Sequence, residues 1–302
     1  MTALANVKVA AVQATPVILD ASATIAKAVG VMERLASQGV QLIVFPECFV
    51  SVYPSGAWAS VGATWGARPD ELWRRMWESS VDVSGPLVHE LVEACQRFGV
   101  HVAIGVNERE DDRPGTLYNT LFVVGPDGVM NRHRKLMPTM HERVFHGVGA
   151  GDDLEVVDLA GIGRVGGLIC WENRMPLARW SLYRGGPQIW LAPTADDSDS
   201  WIASMRHIAI ESGAFVISVP QFIPAAAFPT DFPVPLPEGV EVFGRGGACI
   251  VSPLGDIVAG PLYDEEGVVI ADCDLAAALT AKRFFDVYGH YGRRDVLSDD
   301  DR

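Results

Sequence analysis

"RVGGLICWENRMPLARWSLYRGG", residues 164–186, reads as one strand running straight into one helix. Residues 164–170 have strand length and apolar content, and Gly166 and Gly167 permit close backbone approach. After Cys170, the stretch 171–186 can start a helix, with Pro176 suited to a first turn. Outward from it the alternation repeats. Strand patterns cover 7–13, 41–47, 100–106, 116–125, 187–193 and 214–220. Helix patterns cover 22–39, closed by Gly39, 84–99, with Ser84 as N-cap and Gly99 as stop, and 200–213. Two later strands, 247–253 and 267–274, flank a Pro-Leu-Gly-Asp turn signal. Alternating strands and helices predict an α/β fold, and hairpin patterns near 118–128 and 250 predict mixed sheets. The proline-rich stretch 224–239 reads as a surface loop.

The 302 residues, 49% of them hydrophobic, suffice for a full core and predict one domain over 1–302, with its core at about 5–280 and a tail at 281–302. No stretch has the length of a membrane span and no signal-type segment opens the chain, so a soluble, cytoplasmic protein is expected. Five cysteines without C-x-x-C spacing predict reduced thiols. A net charge of -14 disfavours nucleic acid, for which "NRHRK" at 131–135 is the one short basic run.

Cys170 closes an apolar strand, where open α/β sheets present reactive groups beside free N–H donors. Glu47 ends another such strand, "QLIVFPE", directly after a proline; five apolar residues before it predict a partly desolvated carboxylate with a raised pKa, suited to act as a base. Lys135 precedes "LMPTM", which predicts an ammonium at the edge of an apolar pocket, able to stabilise developing negative charge. "HERVFH" separates its histidines by five positions, so on a helix they diverge by about 140° and do not form a zinc site. The acidic run "ADDSDSW" lacks the glycine and distal glutamate of a calcium loop and reads as helix N-capping. Walker, G-x-S-x-G and G-x-G-x-x-G patterns are missing from the sequence.

With these three residues, the sequence resembles the nitrilases, a branch of the carbon-nitrogen hydrolase superfamily. The resemblance spans nearly the whole chain and rests on "FPECFVSVYP", "RKLMPTMHERVFHGVG", "GGLICWENRMPLAR" and "APTADDSDSWIASMRHIAIESGAFVIS". It implies a four-layer αββα sandwich with two mixed sheets, a catalytic Glu47, Lys135 and Cys170, and a second glutamate, Glu142, beside them. The activity implied is hydrolysis of a nitrile to acid and ammonia through a covalent cysteine thioimidate and thioester, without metal or organic cofactor. The alternatives are an amidase or carbamoyl hydrolase using the same residues, a scaffold on this fold, and a thiol redox sensor. Tyr53, Trp58, Phe145, Trp171 and Met175, with Thr194, are the expected substrate-binding set. The resemblance also implies homo-oligomers, dimers or larger assemblies up to spirals, through 175–186. The stretch after Tyr53-Pro54 departs from the family's usual aromatic run, which leaves the nitrile class open, and the short tail after Leu297 counts against long filaments.

Overall fold

Residues 9–12 and 42–44 are apolar at every position, and a strand with that pattern must be covered on both faces. The computed structural model, which describes residues 6–112 and 114–297, meets that demand. In chain order its elements are β1 (Asn6–Gln13), α1 (Ala21–Ala36), β2 (Leu42–Val44), α2 (Gly56–Ala59), α3 (Ala67–Glu78), α4 (Pro86–Phe98), β3 (His101–Arg109), β4 (Leu117–Gly125) and β5 (Gly128–Arg134). There follow β6 (Val157–Leu159), β7 (Gly163–Gly167), α5 (Pro176–Tyr183), β8 (Ile189–Thr194), α6 (Asp199–Ser212), β9 (Phe215–Pro220), β10 (Phe222–Pro224), β11 (Val242–Val251), β12 (Ile257–Tyr263), β13 (Gly267–Asp274) and α7 (Leu275–Phe284).

One sheet has the order β13-β1-β2-β3-β4-β5, the other β10-β11-β9-β8-β7-β6 with β12 on β11. Both are mixed: β1, β2 and β3 run parallel, as do β7, β8 and β9, while the outer pairings are antiparallel. The two-residue period sorts the side chains. Val9, Ala11, Leu42 and Val44 meet Leu191, Ile217 and Ile250 between the sheets. Ala10 and Ile43 face the other way, onto Ile25, Met32 and Leu91 of α1 and α4. Trp190 and Val216 cover the far side of the second sheet against Leu182, Trp201 and Met205 of α5 and α6. The layers are therefore helix, sheet, sheet, helix, the expected sandwich.

Several local expectations need correction. Ser84 does not cap α4: Gly85 holds that position with Pro86 next, and Ser84 instead bonds Asp82. Ser198 occupies the N-cap of α6 but makes no side-chain capping bond. The stretch 224–239 is the expected loop but not a loose one: it starts at the last residue of β10, passes through a 3-10 turn, Ala225–Ala227, and buries Phe228 and Val234 in one cluster with Trp58. Helix α7 spans residue 280, and Tyr288 beyond it packs on Trp180. The tail after Leu297 lies outside the described residues. None of the described helices is long and apolar enough to cross a membrane.

The strands expected at 41–47 and 164–170 both end early, at Val44 and Gly167. Pro46 has no N–H to continue the first ladder. In the second, side chains take over the backbone groups: Asn173 Nδ2 donates to the Leu168 and Cys170 carbonyls, and Ile169 N–H donates to Glu172 Oε2 at 2.8 Å. The chain thus turns sharply into a short 3-10 helix, Cys170–Arg174. Cys170 opens it with φ of 52°, a left-handed conformation uncommon for a residue with a side chain.

Candidate active site

Glu47, Lys135 and Cys170 each sit just past the point where a strand of the inner sandwich lets go. Glu47 follows β2, and Gly105 on β3 makes room for it: a Cβ there would collide with the Pro46 carbonyl and Glu47 Cα. Lys135 comes one residue after β5, its N–H still bonded to the Asn119 carbonyl at 2.8 Å. Glu142 lies in a 3-10 turn, Met140–Val144, and accepts the Thr139 N–H at 2.8 Å, which folds that turn inward. The "LMPTM" that follows Lys135 predicts its ammonium at the edge of an apolar pocket. The structure instead buries it between two carboxylates.

Lys135 Nζ donates to Glu47 Oε1 and to Glu142 Oε2, each at 2.6 Å. Asn119 Nδ2 bridges the same pair, donating to Glu47 Oε1 and Glu142 Oε1 at 2.7 Å each. All three charged side chains are fully buried. Tyr53 OH adds a longer bond, 3.3 Å, to Glu142 Oε2, and His146 Nδ1 lies 3.5 Å from Glu142 Oε1. Removing one member of such a group leaves an uncompensated charge, at a cost of about 3–5 kcal/mol.

β8 joins this floor to the thiol. Thr194 Oγ1 donates to Cys170 Sγ at 3.1 Å, and the next N–H, of Ala195, donates to Glu47 Oε2 at 2.8 Å. Consecutive residues therefore hold Cys170 and Glu47 together.

The electrostatics follow from two carboxylates and one ammonium in a dry space. Burial, reinforced by Glu142, raises the Glu47 pKa against the pull of Lys135 and Asn119. Burial would raise Glu142 too, but Lys135 and then His146 overcome it and hold that carboxyl well below its ordinary range. Burial would lower Lys135, yet Glu47, Cys170 and Glu142 keep it firmly protonated. Cys170 is pushed up to about 12, by burial first and Glu47 second, with Lys135 and the Thr194 bond opposing. The resting group is a neutral thiol beside a carboxylate with raised proton affinity. A thiol in this state needs a base before it can attack.

A cavity of about 380 Å³ opens onto Cys170, walled by Tyr53, Pro54, Thr139, Met140, Trp171 and Ala195 among others. Two expected substrate-binding residues, Tyr53 and Trp171, line it; Trp171 is fixed by its indole N–H donating to Asp196 Oδ2 at 2.8 Å. Trp58 and Phe145 are instead buried in a separate aromatic cluster, where Trp58 meets the Phe232 ring edge-on at 5.2 Å. Met175 ends up outside the lining, as the cap residue before α5, and Thr194 lies behind the thiol rather than on the cavity wall.

Sequence reasoning missed Asn119, the sulfur-directed role of Thr194, and a second ionic chain, Asp153-His133-Glu172. An asparagine inside the apolar strand 117–125 was the available signal for the first. For His133 the signal was alternation: in "NRHRK", His133 and Lys135 share the buried side while Arg132 and Arg134 face the other and pair with Glu108. The basic run is thus paired and leaves no open cationic patch on β5. His141 and His146 part company, one on the cavity wall and one buried against Asn107 Oδ1 at 2.7 Å.

A family model described as carbon-nitrogen hydrolase matches residues 8–283. A nitrilase of Bradyrhizobium diazoefficiens is 41% identical over 295 residues, 96% of this chain and 90% of that protein. An aliphatic nitrilase of Sinorhizobium fredii is 42% identical over 294 residues, 96% and 94% of the two chains. Among solved structures, Nit3 of Saccharomyces cerevisiae, a member of branch 10 of the nitrilase superfamily, superposes with a TM-score of 0.70 at 20% identity, covering 95% of this chain and 96% of that one; at that identity it bears on the fold alone.

Proposed function

The chain belongs to the nitrilases of the carbon-nitrogen hydrolase superfamily, and from that premise we propose that it hydrolyses an organic nitrile with Cys170 as nucleophile, Glu47 as base, and Lys135 and Glu142 as the supporting pair. The observation that carries this reading is the buried, doubly bridged Glu47-Lys135-Glu142 floor beneath a cavity that Cys170 lines.

Glu47 takes the Cys170 proton as sulfur adds to the nitrile carbon, and the proton passes to the nitrile nitrogen, giving a thioimidate. A water then gives one proton to Glu47 and adds to the same carbon; Glu47 passes that proton to nitrogen, and the hydroxyl proton of the tetrahedral adduct follows it by the same route, so that ammonia leaves and a thioester remains. A second water, activated in the same way, displaces the thiol as the carboxylic acid leaves. Lys135 has three N–H donors and spends two on the glutamates, so the third is available for the charge that develops on nitrogen or oxygen. The Trp171 amide is the second donor in this scheme. Glu142, the more acidic carboxylate, keeps Lys135 charged and aimed, which leaves Glu47 free to exchange protons.

Ammonia release from a panel of aliphatic, aromatic and arylacetic nitriles tests the activity, with the matching amides alongside. Turnover of amides with none of nitriles would overturn it. Intact-mass measurement during turnover should show one adduct, on Cys170.

The same reading includes assembly. Leu177 on α5 and Ile210 on α6 are 76% and 51% exposed on one side of the sandwich, and Trp180 is half-buried there. This supports self-association through the outer face of 175–186, although Leu182 and Tyr183 point into the core and take no part. Leu177→Glu should reduce the particle mass in light scattering. Five free thiols fit a reducing compartment such as the cytoplasm.

A further inference from the structure

Beside the Glu47-Lys135-Glu142 floor runs a second ionic chain, buried at His133 and Glu172, that the scheme above does not use. His133 Nδ1 donates to Asp153 Oδ1 at 2.7 Å, and its Nε2 donates to Glu172 Oε2 at 3.0 Å. His133 is 3% exposed and Glu172 1%. Burial would strip the proton from this imidazole, but Glu172 and Asp153 outweigh it and push its pKa up to about 10, so both ring nitrogens are donors.

The same Glu172 carboxylate also accepts two backbone N–H groups. Leu136 N donates to Oε1 at 2.6 Å, and Ile169 N donates to Oε2 at 2.8 Å. Leu136 directly follows Lys135, and Ile169 directly precedes Cys170. Asp153 fastens the first segment again, taking the Arg134 N–H on Oδ2 at 2.8 Å. One carboxylate is therefore bonded to both stretches of backbone that deliver reactive side chains, each within one residue of its target. The two stretches come from different sheets and share no ladder. Cys170 also sits in a left-handed conformation, uncommon for a residue with a side chain, at the start of the turn that Glu172 closes by accepting the Ile169 N–H.

We propose that Glu172, oriented by protonated His133, is a positioning residue that sets the distance between Cys170 and Lys135. For its consequence on turnover this rests on the nitrilase reading; for the geometry of the thiol it does not. Substituting Gln keeps the size of the side chain but replaces one acceptor oxygen with a donor. Three donors converge on that group, Leu136 N–H, Ile169 N–H and His133 Nε2–H, so in Glu172→Gln at least one contact becomes donor against donor. The turn then relaxes and Cys170 shifts relative to Lys135, while Glu47 and Glu142, the other charged groups facing the sulfur, are untouched.

The test compares the full-length wild-type chain with Glu172→Gln and, should that variant not fold, His133→Gln. Two readouts are taken on folded protein: alkylation of Cys170 by iodoacetamide against pH, followed by peptide mass, and kcat and KM on a nitrile the wild type accepts. The expected result is an alkylation profile displaced to higher pH with a rate about tenfold lower at neutral pH, and kcat reduced 10- to 100-fold with KM within threefold. Alkylation and kcat within twofold of wild type, per folded molecule, would overturn the proposal and leave Glu172 as part of the scaffold only. If the wild type turned over no nitrile, the nitrilase reading would fail by itself, and the alkylation profile would still decide the positioning role.

Discussion

Strand β5 and the lysine that follows it carry two ionic clusters made of the same kinds of residue, one on each side. On one side Arg132 and Arg134 meet Glu108 and Glu110, with two cations for two anions and both arginines partly exposed. On the other, Lys135 lies between Glu47 and Glu142, one cation for two anions, and water is excluded from all three. A balanced, partly wet cluster holds strands together. A dry cluster with one carboxylate in surplus cannot keep both acids comfortably ionised, and the acid farther from compensating help takes up a proton more readily. Here that acid is Glu47, since Glu142 has His146 in addition to Lys135. The difference between a structural and a reactive cluster thus comes from counting charges and measuring burial, not from residue type.

The largest effect should come from removing what the dry cluster acts on. Cys170→Ala is expected to abolish ammonia release, by at least about 10³-fold, while circular dichroism stays unchanged, because loss of one sulfur atom leaves every sheet pairing intact. Measurable turnover by that variant would break the contrast at its root. Glu47→Gln should follow, with a loss of about 10³-fold in kcat and no Cys170 adduct by mass, since the thiol then has no base. For Glu142→Gln a hundredfold loss is expected, about 3 kcal/mol of barrier, with the fold retained. A folded Glu142→Gln enzyme within threefold of wild type would show that the surplus carboxylate has no part in the chemistry.

The pH dependence sharpens the same point. Glu47 must be ionised to accept the thiol proton, and its pKa is raised, so kcat/KM should decline on acidification through a pH above the ordinary glutamate value of about 4.3. Lys135 stays charged far into the alkaline range and contributes no loss there. An acid limb at or below that ordinary value would contradict the desolvated floor. The smallest effect belongs to the other side of β5. Arg132→Gln should leave kcat within threefold and cost no more than about 1 kcal/mol in a denaturant titration, because its partner Glu108 keeps Arg134 and Thr120.

Much of this was readable in the residues. Alternation of apolar strands with helix patterns placed the chain among α/β folds, and the doubly apolar runs of β1 and β2 required cover on both faces. Glu47 and Cys170 were legible because each ends an apolar run, and Lys135 because an apolar run follows it at once, places where a charged or nucleophilic side chain has little reason to be unless it is used. Trp58 and Phe145 misled because aromatic character near a site does not say which way a ring points; tertiary packing put both in a cluster with Phe228 and Phe232.

What the sequence by itself determined is the set of local periodicities: which faces are apolar, where strands stop, and which reactive groups stand at those stops. Those depend on backbone geometry a few residues long. What only the tertiary structure decided is who shares a proton with whom. Asn119 and Glu47 are 72 residues apart, Lys135 and Glu47 are 88 apart, and Ala195 and Glu47 are 148 apart, yet all meet within hydrogen-bond distance. Their pKa values come from the burial and charge count of that meeting, which exist only once two sheets have closed over it.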